Sequence, residues 1–272
     1  MSPTPNIEPP YLCIYCMRDK SKVTFKKKAH IIPESLGSTD QYAPKGFECD
    51  KCNNAFAIIE RKVLENPFFL FERAISGTLS KKGKYPIIDH SENGLKIEYR
   101  HEEDLIKRPF IDIDLSKFPK EYYSGSIESG TITFDIPIKD YKNYYACQLR
   151  FLIKMGLGLM LFAKPYDSSW HDPCAPKYDL GRKFAKEPKK KARWELLIGD
   201  PKQGSQPQLG QNDDWNLFRI LDSSLGSSIF LCYRYGLKVF VCRLDKPELK
   251  YYQSAIEDEF FIEKSQVMEV EI

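Results

Sequence analysis

Apolar positions change their spacing several times along this chain, and each change predicts a different kind of element. Phe56, Ile59, Val63 and Leu64 recur at three- and four-residue intervals with Glu60, Arg61 and Lys62 among them, the stripe of an amphipathic helix. Pro67 is expected to end that helix, because the residue before a proline disfavours helical backbone. From residue 81 to about 141 the period shortens to two. Residues 95–99, 110–115 and 131–136 alternate apolar and polar side chains, and Ser91-Glu92-Asn93-Gly94 is a turn cluster, so this part predicts strands with one wet face. Residues 144–163 return to helical spacing. Leu149, Leu152, Ile153, Leu157, Met160 and Leu161 cover overlapping faces, which predicts a largely buried helix whose apolar run at 149–163 is interrupted by Arg150 and Lys154.

After a basic stretch at 164–191 that is read as irregular, strands are expected at 194–198, 215–221, 228–235 and 237–244, with Gly236 as the turn between the last two and a polar loop at 199–214. The fold class is therefore α+β. Residues 1–10 are expected to be a disordered tail, 11–66 a small separate unit, and 67–272 a larger mixed α+β region.

Composition permits a packed core and narrows the partners. With 272 residues, 42% of them hydrophobic, the chain can bury one large core or two ordinary ones. Net charge is only +3, so nucleic acid would have to be held by local basic patches. Lys20, Lys22, Lys26, Lys27 and Lys28 form one such patch, and Arg182, Lys183, Lys186, Lys189, Lys190, Lys191 and Arg193 form another; either also suits a plain solvated face. The start of the chain lacks the basic and apolar segments of a signal peptide, and the apolar run at 149–163 is too short to span a bilayer. No membrane partner and a reducing, cytoplasmic location are expected.

Four of the eight cysteines fall at metal-binding spacing: Cys13-x-x-Cys16 and Cys49-x-x-Cys52. Each two-residue gap lets one tight turn aim two sulfurs at one ion, and four thiolates complete a tetrahedral structural Zn²⁺ site. Cys147, Cys174, Cys232 and Cys242 are scattered, three of them in apolar surroundings that suit buried thiols. The 32 residues between the knuckles must carry structure of their own, and they contain Ala29-His30-Ile31-Ile32-Pro33-Glu34-Ser35-Leu36-Gly37.

Cys-x-x-Cys, His-Ile-Ile-Pro, Leu-Gly and Cys-x-x-Cys-Asn in this order resemble the HNH endonucleases of the ββα-metal finger type, over the first quarter of the chain. The resemblance implies a hairpin whose first strand ends near His30 and whose second lies around Phe47, followed by the helix. It implies that His30 takes a proton from the attacking water, in keeping with an imidazole that titrates near neutrality. It also implies a second, catalytic Mg²⁺ or Mn²⁺, to which Asn53 would offer a side-chain carbonyl, with Asn54 as the fallback. Many relatives carry an acid or histidine directly before the base, whereas this chain has Ala29. Glu60, two helical turns after Asn53 and on the same face, is the candidate to fill that gap, and Glu34 and Asp50 are alternatives. The family's middle residue has no counterpart within 38–46.

Each of these residues has a plainer role as well: Asn53 as a helix cap, Glu60 as a solvated or salt-bridged side chain, and Lys26, Lys27 and Lys28 as a wet surface instead of a phosphate contact. Two function classes follow. One is a metal-dependent DNA endonuclease, with RNA as the other substrate to be tested and a homodimer or partner protein supplying specificity; by resemblance it would suit bacterial anti-phage defence. The other is a catalytically inactive zinc module that binds nucleic acid or protein. His90 and His101 lack partners at metal-binding spacing, and 67–272 show no chemistry of their own.

Overall fold

The computed structural model describes residues 11–38, 41–76, 78–79, 82–84, 87–90, 95–100, 108–114, 116–117, 120, 123–126, 131–134, 141–163, 172–187, 192–202, 216–223, 228–236, 238–259 and 262–271. The expected tail at 1–10, the turn cluster at 91–94, His101, Lys189 to Lys191 and most of the expected polar loop at 199–214 lie outside them.

The stripe at Phe56 forms α1 (Asp50–Leu64), which buries Cys52, Phe56, Ile59 and Val63. The helix ends where expected, but Pro67 does more than stop it. It opens a second helix that the sequence reading did not anticipate, α2 (Pro67–Ser76). Proline suits that first position, where its fixed φ is helical and its missing N–H has no partner to lose. The Asn66 side chain accepts the Phe68 N–H at 2.9 Å and so caps the new helix.

The alternating runs give β1 (Ile88–His90), β2 (Leu95–Arg100) and β3 (Arg108–Ile113) as an antiparallel meander, with β4 (Tyr123–Ser126) and β5 (Thr131–Phe134) as a separate hairpin. The long helix is α3 (Tyr141–Ala163). Within 164–191, read as irregular, residues 179–186 form α4 (Asp179–Lys186). Arg182 of the second basic patch is buried there, bonded to the carbonyls of Pro173 and Ala175 and to Asp179. It is therefore a structural cation and not part of a basic surface.

A five-stranded antiparallel sheet closes the fold in the order β10-β6-β9-β8-β7. Its strands are β6 (Arg193–Pro201), β7 (Asn216–Ser223), β8 (Ser228–Tyr235), β9 (Lys238–Arg243) and β10 (Ile262–Glu271), with α5 (Gln253–Glu259) before the last. Gly236 supplies the expected turn: Tyr235 pairs with Lys238, and Gly236 takes a φ of +56° that L side chains rarely adopt. Strand geometry sends alternate residues to opposite faces. Ile229, Leu231 and Tyr233 of β8 with Phe240 and Cys242 of β9 face the main core, while Phe230, Cys232, Val239 and Val241 join Leu249 and Ile256 in a second cluster. Because both faces are covered, these strands are apolar nearly throughout, as expected for fully buried strands.

The main core runs without a break from Cys13, Ile14 and Tyr15 through Ile31, Ile32, Leu36, Phe56 and Val63 to α3 and the sheet. Helix α3 is its centre, packed against α1, α4 and strands β7 to β10. Among the described residues no helix is long and apolar enough to cross a membrane.

Candidate active site

The four knuckle cysteines converge. All four sulfurs lie within 4.8 Å of one another, and Sγ of Cys16 is 3.8 Å from Sγ of Cys49. Tetrahedral zinc with ~2.3 Å bonds separates its sulfurs by roughly 3.8 Å, so the cluster fits a zinc knuckle arrangement. Local backbone explains the convergence. The Met17 N–H closes the first turn on the Cys13 carbonyl at 2.8 Å, and Cys49 caps α1 so that Cys52 sits in its first turn. Backbone N–H groups of Cys49 and Cys52 point at sulfurs of Cys13 and Cys49, each at 3.5 Å. Hydrogen bonding with Cys52 draws the Cys13 thiol down to about 5, while the same bond and burial drive Cys52 upward. Four thiols this close hold one negative charge readily and further charge only with a cation between them. Among the described residues this is the sole group of cysteine, histidine and acidic side chains placed to share a metal ion. Of the remaining cysteines, Cys147, Cys232 and Cys242 are buried, as expected.

The expected hairpin is reduced to a single bridge. His30 pairs with Tyr42, flanked by Ile31 N–H to Gln41 O and Ala43 N–H to Ala29 O, both at 2.9 Å. Phe47 is not the second strand. Its carbonyl accepts the Ile14 N–H at 2.9 Å and ties the first knuckle to the approach of the second. After His30 the chain enters a 3-10 turn, Glu34–Leu36, which ends at Gly37 with a φ of +91° and buries Leu36. That turn swings Glu34 back beside His30. Oε1 of Glu34 lies 3.0 Å from Nε2 of His30, and the Tyr42 hydroxyl reaches the same oxygen at 3.5 Å. The Tyr42 ring lies against the imidazole with centroids 4.3 Å apart. His30 retains 22% of its side-chain exposure and Glu34 31%, so the pair is supported by protein on one side and open on the other.

Asn53 stands half-buried in the first turn of α1, its N–H on the Cys49 carbonyl at 3.0 Å. Asn54 is exposed, and its side-chain oxygen accepts from Nζ of Lys27 at 2.6 Å. Asp50 is occupied by the preceding loop: its carboxylate accepts from the Thr24 hydroxyl and from the N–H groups of Lys26 and Lys27. Lys26, Lys27 and Lys28 are exposed, with Nζ of Lys28 3.4 Å from the Tyr42 ring centroid. Together with Lys45 they rim a cavity of 390 Å³ beside Ala29 and Glu48.

Glu60, expected as a metal ligand, is paired elsewhere. Its Oε1 lies 3.0 Å from Nζ of Lys154, a residue of α3 that is 1% exposed. The same ammonium donates to the carbonyls of His30 and Ile31. Helical periodicity placed Glu60 and Asn53 on one face of α1, but α3 lies against that helix and offers a buried cation, which outbids open solvent for the carboxylate. Burial lowers the pKa of Lys154, yet the charges of Glu60 and Glu48 outweigh it and the net shift is upward. Glu48 is buried in the same region, which pushes its carboxyl up to about 7. The sequence shows Lys154 only as a charge interrupting an apolar helix, and that interruption was the available signal.

The knuckles, the histidine turn and α1 together span one stretch of chain that can be compared with known families. Residues 13–66 match the family model for HNH endonuclease. No curated protein and no solved structure matches the chain. The matched segment thus begins at the first knuckle cysteine and ends just before Pro67, and the residues around Lys154 that hold His30 from behind lie outside it.

Proposed function

We propose that this chain is a metal-dependent HNH endonuclease that hydrolyses phosphodiester bonds in DNA, with His30 as the base. The observation that carries the reading is the His30–Glu34 pair, 3.0 Å apart, in the same matched segment as a four-cysteine metal framework. When Nε2–H donates to Glu34, the imidazole is fixed in one tautomer and Nδ1 keeps the lone pair that can accept a proton from water. Tyr42 limits rotation of the ring.

A divalent cation, Mg²⁺ or Mn²⁺, supplies the positive charge that phosphodiester cleavage needs at the phosphate and the leaving oxygen. The donor set for such an ion is hard oxygen, which the Glu34 carboxylate and the Asn53 amide carbonyl would offer. Ala29 is buried and contributes no donor, and Glu34 stands in for the missing acid from the turn after His30. Lys26, Lys27, Lys28 and Lys45 offer their charge to the phosphate backbone without reading sequence, so affinity should fall with salt.

Nicking of supercoiled plasmid in Mg²⁺ or Mn²⁺ tests this reading. Wild type should cut and His30→Ala should not; equal inertness of both in either metal overturns it. Ala29 favours the competing reading, a binding module without catalysis, and that outcome would support it. Matched DNA and RNA substrates decide the polymer.

A further inference from the structure

We propose that Lys154 is a positioning residue for His30: from α3 its ammonium holds the carbonyls of His30 and Ile31 and thereby couples the geometry of the base to the C-terminal region. The inference rests on the reading of His30 as the base.

An ammonium buried under an apolar layer is costly and persists only when its donors are satisfied. Lys154 has three N–H donors and three partners: the carbonyl of His30, the carbonyl of Ile31 at 3.2 Å, and Oε1 of Glu60 at 3.0 Å. Two of the three are the peptide oxygens on either side of the Ile31 α-carbon. Holding both fixes the path by which the chain leaves His30, and so the direction of its side chain. Glu60 of α1 supplies the counter-charge that keeps the ammonium at this point.

Other contacts bring α3 to the same place. The Tyr15 hydroxyl donates to the Lys154 carbonyl at 2.9 Å. Gly158, one turn further along α3, lets Ile31 approach closely: a Cβ there would stand 3.1 Å from Cγ2 of Ile31. From the opposite side the backbone is held by the bonds of Ile31 and Ala43 across the bridge. The residue bearing the base is thus clamped between a loop of the HNH segment and a helix beyond it. A lysine is not what packing alone would select in α3, where Leu152, Ile153, Met155 and Leu157 are all buried.

The test compares full-length wild type with Glu60→Met/Lys154→Met, which exchanges the ion pair for two apolar side chains and strands neither charge. Plasmid nicking in Mn²⁺ should lose about 100-fold in kcat, the scale expected from a small misplacement of a reacting group. Zinc content, melting temperature and Kd for the same plasmid should stay at wild-type values. A double variant that cuts at the wild-type rate overturns the proposal, as does one whose loss lies in Kd alone. If wild type itself does not cut, the nuclease reading fails, and NMR decides the positioning separately. The imidazole resonance of His30, assigned by its loss in His30→Ala, should move or split in the double variant; an unmoved resonance overturns the proposal. Where the double variant melts below the assay temperature, Lys154→Gln with Glu60 intact is read in the same two ways.

Discussion

Oε1 of Glu34 and Nε2 of His30 lie 3.0 Å apart, and the backbone between them explains the distance. Pro33 cannot donate an N–H and leads the chain into a 3-10 turn, which Gly37 closes by donating its N–H to the Glu34 carbonyl at 2.9 Å. The turn doubles back, so the side chain four residues on meets the imidazole instead of pointing away from it. This brings a carboxylate to His30 from Glu34, which the sequence offers only as an alternative, like Asp50, to the first candidate Glu60.

Glu34→Gln keeps the shape and one acceptor oxygen but removes the charge, and Glu34→Ala removes both. Nicking should fall by roughly 10-fold and 100-fold respectively, the range typical of a partner that orients a ligand or base. The Mn²⁺ concentration for half-maximal rate should rise in both variants while Kd for DNA holds. Wild-type cutting by Glu34→Ala would remove Glu34 from the site.

Cys49 is a member of the four-cysteine cluster and the cap of α1 at once, since its sulfur accepts the Cys52 N–H. Cys49→Ser should therefore lose zinc and soften the start of the helix together, because a structural metal contributes its binding free energy to folding. Zinc per chain, measured by mass spectrometry, should drop from one to near none, with a lower melting temperature. Wild type stripped with a strong chelator should melt like the variant. Unchanged zinc and melting would count against the four-cysteine assignment.

The local structure of residues 13–66 was legible in the sequence, while their long-range contacts were not. Two Cys-x-x-Cys pairs at fixed spacing, a stripe at Phe56, Ile59 and Val63, and a Pro–Gly frame around Glu34 each act within a few residues, so pattern alone reveals them. The strands at 194–198, 228–235 and 237–244 were legible for the same reason: buried on both faces, they are apolar nearly throughout. What stayed hidden depended on distant partners. Glu60 reads as a solvated or salt-bridged helix residue, but its partner Lys154 is 94 residues away in sequence. Arg182 looks like part of a basic surface until its guanidinium finds the carbonyls of Pro173 and Ala175. Helix α4 was missed because Gly181 and four charged residues in eight positions obscure a short stripe.

Gly181 is needed in α4 despite its poor helix propensity. A Cβ there would run into the carbonyl oxygen of Leu244 and come within 3.5 Å of Cγ2 of Ile153, so α4 could not keep its present approach. Gly181→Ala gains about 1 kcal/mol of helix propensity. It loses roughly 1–3 kcal/mol or more to overpacking against backbone that has no rotamer to yield. Urea unfolding should show a net loss of stability, and a gain would mean that α4 sits further from Leu244 in solution.

The buried ammonium of Lys154 predicts an unusual pH dependence by its sign. Desolvation alone would lower its pKa and release the proton near neutrality, but the charges of Glu60 and Glu48 reverse this and raise the pKa above the ordinary 10.5. A cation whose folded pKa is raised contributes stability that is fully present below the unfolded pKa and lost as pH climbs through the folded one. The stability difference between wild type and Glu60→Met/Lys154→Met, from urea unfolding, should therefore move against wild type above about pH 10.5, while a change nearer neutrality reports Glu48, whose buried carboxyl is pushed up to about 7 beside the pair. Subtracting the two curves removes the titration of tyrosines and zinc thiolates common to both. A loss that is already complete by pH 9, and that persists when Glu48→Gln is placed in both proteins, would mean that burial outweighs the carboxylates. Lys154 would then be losing its proton, and with it a donor to His30 or Ile31, in the pH range where an imidazole base works.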